Sequence, residues 1–174
     1  VEELSKFFEL NEIWVISKQN TDILKNEFVI FILKFFYCLL DINNNEHNFI
    51  DVCRNDILWL NQVDIFKINK YLFLKNYVRK QKISFFDLIC DLEKIDDLEL
   101  NDKDWLLIFR DKFINSSKKL SNDFFINFFN EFLSDFEILK YIETNGTFDD
   151  IQDVFTLFNK IKDFCLIDKN FSMS

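Results

Sequence analysis

Proline is absent from this chain of 174 residues, and glycine occurs once, at position 146. These residues end helices and set tight turns, and folds made of strands and turns use many of them. Their scarcity argues against such a fold and excludes a glycine-rich phosphate cradle. It predicts helices joined by short polar links. Histidine also occurs once, at position 47. A His-rich metal site is therefore excluded, and His47 reads as a loop residue. A nucleophile pair of Cys90 with His47 has no local support. Cys38, Cys53, Cys90 and Cys165 lack metal-ligand spacing and read as buried, reduced thiols. Reduced thiols, and no signal-like apolar run after Val1-Glu2-Glu3, point to the cytoplasm and nucleus.

What is plentiful is apolar surface and negative charge. Apolar residues make up 49 % of the chain, 24 residues are Phe, and the net charge is −9. That is enough apolar material for one sizeable core. An acidic chain repels phosphate backbones and no basic stripe stands out, so nucleic acid is not expected as a partner. A basic protein surface is the more natural one. The most apolar stretch, Phe28 to Leu40, is shorter than the roughly 20 residues that a membrane span needs and carries Lys34. It reads as a core helix, and no membrane partner is expected.

Helical periodicity recurs along the chain. It predicts helices over Glu2 to Glu9, Asp22 to Leu40 (capped by Thr21 or Asp22), Asp51 to Asn61, Val63 to Val78 and Phe85 to Ile95, the last capped by Ser84. Asp41 to Asn48 reads as a loop, Arg79 to Lys82 as a basic loop and Asp96 to Asn101 as an acidic link. Further helices are predicted over Asp102 to Phe113, from a cap at Ser121 through Phe132, from a cap at Ser134 to Ile142, and from Asp149 to Phe164. A polar loop is predicted over Ile114 to Lys119, and a frayed tail at the end. The expected domain is single and all-α: an N-lobe over about residues 1–96, a C-lobe over about 97–165 and a tail over 166–174.

A motif repeats within this pattern: a polar loop, one apolar residue, then Ser or Asp opening a helix. Lys82-Ile83-Ser84, Lys119-Leu120-Ser121 and Thr147-Phe148-Asp149 each show it. It is the rhythm of an EF-hand, so the two lobes are expected to be degenerate EF-hands. Calcium needs oxygen ligands at fixed loop positions with glycine at the sixth. Neither the Ile83 loop nor the Leu120 loop supplies them. The Asp41 loop offers Asp41, Asn43 and Asn45, but has Glu46 in place of glycine and Val52 at the last ligand position. It reads as a solvated turn. No metal, cofactor or catalytic residue is expected.

These features, with Leu120-Ser121-Asn122-Asp123-Phe124-Phe125 after Trp105, then Tyr141-Ile142-Glu143, Gly146-Thr147-Phe148 and Ile151-Gln152-Asp153-Val154-Phe155, resemble the PONY (potentiating neddylation) domain of the defective-in-cullin-neddylation family. Upstream, Leu33-Lys34-Phe35 and Leu4-Ser5-Lys6-Phe7-Phe8 resemble family motifs more loosely. The resemblance implies a scaffold without catalytic residues. It would bind a cullin C-terminal domain through its winged-helix subdomain, using a patch at Asp123, Thr147 and Asp153. It would bind the acetylated N-terminal tail of a Nedd-specific E2 in a slot lined by Leu4, Phe8, Phe28, Phe31 and Phe35. Two departures stand in the patch: Thr147 replaces the family's Ala, and Phe148 stands where the family has Trp. The alternative reading is a calmodulin- or myosin-light-chain-like module that clasps an amphipathic helix without calcium.

Overall fold

A computed structural model describes residues 22–80, 82–122 and 125–167, with side chains described at 22–80, 82–120 and 127–163. Among the described residues the chain is all-α, with no strand. Eight α-helices follow in order: α1 (Glu27–Leu40), α2 (Glu46–Cys53), α3 (Gln62–Phe73), α4 (Phe85–Cys90), α5 (Lys103–Asn122), α6 (Phe125–Asp135), α7 (Ile138–Asn145) and α8 (Phe148–Ile167). Short 3₁₀ turns lie at Ile23–Lys25, Asp56–Leu58 and Leu92–Lys94, and α3 runs on into a π-turn at Leu74–Val78. The expected helix over Glu2 to Glu9 and the cap at Thr21 lie outside the described residues.

Asparagine does much of the capping. Asn26 accepts from the N–H groups of Phe28 and Val29, and Asn61 from those of Val63 and Asp64. Each satisfies donors that have no partner inside the helix. Asp22 caps only the 3₁₀ turn that precedes α1. Ser84 caps α4, as the sequence predicts, and Asp87 answers it to close a capping box. Among the described residues, three non-glycine residues take left-handed backbone: Trp59 (φ 56°), Lys80 (φ 55°) and Glu137 (φ 52°). Each conformation costs on the order of 1–2 kcal/mol, which the surrounding packing offsets.

The core is aromatic and continuous. Phe35 of α1 is fully buried, with its ring 5.8 Å from Phe113 of α5, 5.0 Å from Phe132 of α6 and 4.7 Å from Phe136. Phe49 of α2 meets Phe113 at 4.9 Å and Phe86 of α4 at 5.5 Å. Helix α1 packs on α2, α5 and α8, so apolar contact runs from one expected lobe into the other.

Three expectations in the second half are corrected. Ile114 to Lys119 is not a loop, and Ser121 does not cap a new helix: α5 runs unbroken from Lys103 to Asn122. Phe113, Ser116 and Leu120 lie three and four residues apart, and all three are buried on one face. The small side chains let α5 pass close to α1, where the Ser117 hydroxyl donates to the Leu39 carbonyl at 2.9 Å. Helix propensity is poor at Asn and Ser, but packing of that face outweighs it. Likewise Ser134 lies inside α6, and α7 begins after the left-handed Glu137.

Buried polar groups tie the links down. Asp64 of α3 is completely buried. It accepts from the Asn101 N–H at 2.9 Å, the Asn101 side-chain amide at 3.0 Å and the Asp102 N–H at 2.8 Å. This fixes the acidic link to the start of α5. The Asn76 side chain receives the Ile83 N–H at 2.9 Å and donates to the Ile83 carbonyl at 2.7 Å, closing the basic loop. Glu46, at the start of α2, accepts from the Phe85 N–H at the start of α4.

Candidate protein-interaction face

The last turn of α7, Gly146 and the first turns of α8 form the region to which the sequence motifs point. Thr147 caps α8. Its hydroxyl accepts from the Asp150 N–H at 3.3 Å, and the Asp150 carboxylate accepts from the Thr147 N–H at 2.7 Å. This is a capping box. Gly146 is required by space. A Cβ there would lie 2.8 Å from the Ile142 carbonyl oxygen and 3.3 Å from the Phe28 ring.

The outward side of this region is apolar and acidic. Phe148 is 69 % exposed and Phe155 50 % exposed, seven residues apart on one face of α8. Thr147, Asp149 and Gln152 are also exposed. Inward, Val154 and Leu157 are buried, and Phe158 packs on Phe129 with ring centres 5.3 Å apart.

Asp153 is placed differently from the expectation of an exposed acidic patch. It is only 8 % exposed. The Asn26 side-chain amide donates to Asp153 at 3.1 Å and to Asp150 at 2.7 Å. Thr147 and Asp153 belong to one helix start, but Thr147 faces outward and Asp153 faces α1. Asp123, the third residue of the expected patch, lies outside the described residues.

The expected E2 slot divides similarly. Leu4 and Phe8 lie outside the described residues. Phe31 and Phe35 are buried and meet at 5.8 Å. Phe28 is half-buried and meets Tyr141 at 6.3 Å, and Tyr141 meets the exposed ring of Trp59 at 5.5 Å. A mainly polar groove of about 410 Å³ runs beside Phe28 and Tyr141, lined also by Glu27, Arg54, Asn55, Asp56, Ile57 and Asn145. Trp59 was missed by sequence reasoning, because nothing in the local pattern marks a left-handed, outward tryptophan.

The three described cysteines are all shifted away from the thiolate. Burial pushes the Cys38 thiol up to about 12 and the Cys53 thiol well above its ordinary value. Burial also raises the partly exposed Cys90. A nucleophilic cysteine needs the opposite shift. A hydrogen bond from Lys34, 2.7 Å away, holds the Asp51 carboxyl below the usual range. In the turn after α1, the Asp41 carboxylate accepts from both the backbone and the side chain of Asn44, which lowers its pKa. Val52, at the last ligand position of the Asp41 loop, is buried in the core. Among the described residues, no helix is long and apolar enough to cross a membrane.

Comparison with protein-family models, with curated proteins and with solved structures finds no match to this chain.

Proposed function

We propose that the chain is a non-catalytic scaffold of the PONY type, built on two degenerate EF-hand-like lobes. In this reading it promotes cullin neddylation by holding a cullin winged-helix subdomain and the N-terminal tail of the charged E2 at once. Such a scaffold accelerates transfer by proximity, raising the effective concentration of thioester and acceptor lysine, and supplies no acid, base or nucleophile.

One observation carries the reading. Phe148 and Phe155 stand exposed beside Thr147 at the positions where the motif resemblance places the family's Trp and Phe. Two exposed rings on one helix face, next to Asp149, suit a partner with apolar and basic groups. Asp153 then acts by seating α8 through Asn26 rather than by touching the partner. Of the expected slot residues only Phe28 borders a groove, and its lining is mainly polar, with Glu27, Arg54 and Asp56 beside Phe28 and Tyr141.

The test is a binding titration of the whole chain against a cullin C-terminal domain, with Phe148→Ser and Phe155→Ser alongside. The reading expects binding by the parent chain and at least about a tenfold loss in each variant, the scale of an aromatic hot spot. No binding by the parent chain would remove it. The continuous α5 removes the Leu120 loop from the EF-hand rhythm that this reading and the helix-clasping alternative share.

A further inference from the structure

Helix α3 and its π-turn are apolar on two sides. Ile65, Ile68 and Leu72 face the core. On the outer side Val63 is 55 % exposed, Phe66 67 %, Phe73 59 %, Leu74 48 %, Tyr77 77 % and Val78 64 %. Positions 63, 66, 70, 73, 74 and 77 recur at three- and four-residue steps, so these side chains form one ridge with Lys70 in its middle. Phe73 and Tyr77 stack at 5.2 Å. No packing within the described fold accounts for the ridge.

The charge beside it departs from the rest of the chain. Between Asp64 and Asp87 there is no acidic residue, whereas Lys67, Lys70, Lys75, Arg79, Lys80 and Lys82 all fall there. This in a chain of net charge −9 is a basic segment that the overall composition hides. Lys67 is turned to the Glu99 carbonyl and lies 4.0 Å from Asp64, Lys75 lies over the Tyr71 ring, and the Tyr71 hydroxyl donates to Asp97, so acids border the segment on the side of Tyr71 and Lys75. Lys70, Arg79, Lys80 and Lys82 are exposed and make no ion pair among the described residues.

We propose that this ridge is a peripheral docking surface for an anionic lipid bilayer, with α3 lying in the plane of the interface. The occupant follows from shape and charge. The ridge is convex, so whatever covers it must admit protruding rings, as the boundary between headgroups and acyl chains does. The flanking cations match anionic headgroups, each adding attraction near the surface. A second copy of the chain laid face to face would oppose cation to cation. Nucleic acid would leave Val63, Leu74 and Val78 without a role, because aliphatic side chains offer bases no stacking partner. This surface is far shorter than a span, so it revises the expectation of no membrane partner without requiring a transmembrane helix. It is separate in sequence from the α8 face and does not rest on the function proposed there.

The experiment is co-sedimentation of the whole chain with vesicles of phosphatidylcholine alone, and of phosphatidylcholine mixed with phosphatidylserine. The expected result is binding to the mixed vesicles only, weakened by salt. Replacing the exposed cations Lys70, Arg79 and Lys82 with Glu lowers affinity by at least about fivefold per residue. Phe66→Ser combined with Phe73→Ser and Tyr77→Ser abolishes binding while the circular dichroism and melting point hold. A Phe73→Trp variant gains blue-shifted emission on the mixed vesicles. The proposal is overturned by no vesicle binding, or by binding that the serine substitutions leave intact. It is also overturned by a dimer in light scattering that the serine substitutions dissolve, or by single-stranded RNA binding without lipid binding.

Discussion

Asn26 and Asp153 are joined by a 3.1 Å hydrogen bond that ties the start of α1 to the first turns of α8, across 127 residues of sequence. The same asparagine caps α1 with its oxygen and reaches Asp150 with its amide. Its orientation is therefore fixed, since a flipped amide would set oxygen against two carboxylates. Asn26→Ala should destabilise by about 2 kcal/mol, through the lost cap and the lost donor. Asn26→Asp should be worse, because it keeps the cap but places three carboxylates together. Chemical denaturation ranks them, and an Asp variant as stable as the parent would refute the tie. Asp153→Lys, attractive from sequence as a probe of partner binding, should instead lower stability by about 3 kcal/mol, since it places a lysine where a carboxylate is buried.

Gly146 is the chain's one glycine and sits in extended backbone, with φ −95° and ψ −173°. Conformational freedom is not its role. Gly146→Ala should cost about 1–3 kcal/mol by pushing α7 from the start of α8. A melting curve unchanged by that substitution would show the approach to be looser than 2.8 Å.

The Asp64 carboxylate gathers three donors from Asn101 and Asp102. Asp64→Ala takes away the shared acceptor of two backbone N–H groups and should destabilise by about 1–3 kcal/mol. Asp64→Asn keeps one acceptor and should cost less. Hydrogen exchange at Asn101 and Asp102 reads the effect directly. Protection retained in Asp64→Ala would mean that another group takes over.

Cys38 holds its proton more tightly in the folded chain than a free thiol, whose ordinary pKa is 9.0. The stabilisation linked to that proton is complete below pH 9 and is lost as pH rises toward about 12. The melting temperature should therefore fall above pH 9, and fall less in Cys38→Ala. Thiol reagents at neutral pH should label Cys38 and Cys53 only after unfolding, because both are buried. Rapid labelling of native Cys38 would contradict its burial on the inner face of α1.

The sequence by itself determined the fold class, and did so by omission. Without proline and with one glycine, apolar residues at helical spacing had little choice but to form helices, and Ser84 read as the cap of the helix that follows it. It also carried the basic run after Asp64, which the acidic total masked until charge was read segment by segment. It opened the last helix at Asp149, one residue after the observed start at Phe148.

Only the tertiary structure decided which polar residues look outward. Local pattern reads Ile114 to Lys119 as a loop because Asn and Ser are weak helix formers. Burial of Phe113, Ser116 and Leu120 against α1 reverses that preference. Asp153 reads as a solvated or partner-facing acid until Asn26 arrives from the other end of the chain. Trp59 and the ridge on α3 became visible through exposure, which depends on what the rest of the chain covers. Propensity and spacing are local quantities. Burial and long-range hydrogen bonding belong to the packed whole, and they fix what each side chain can reach.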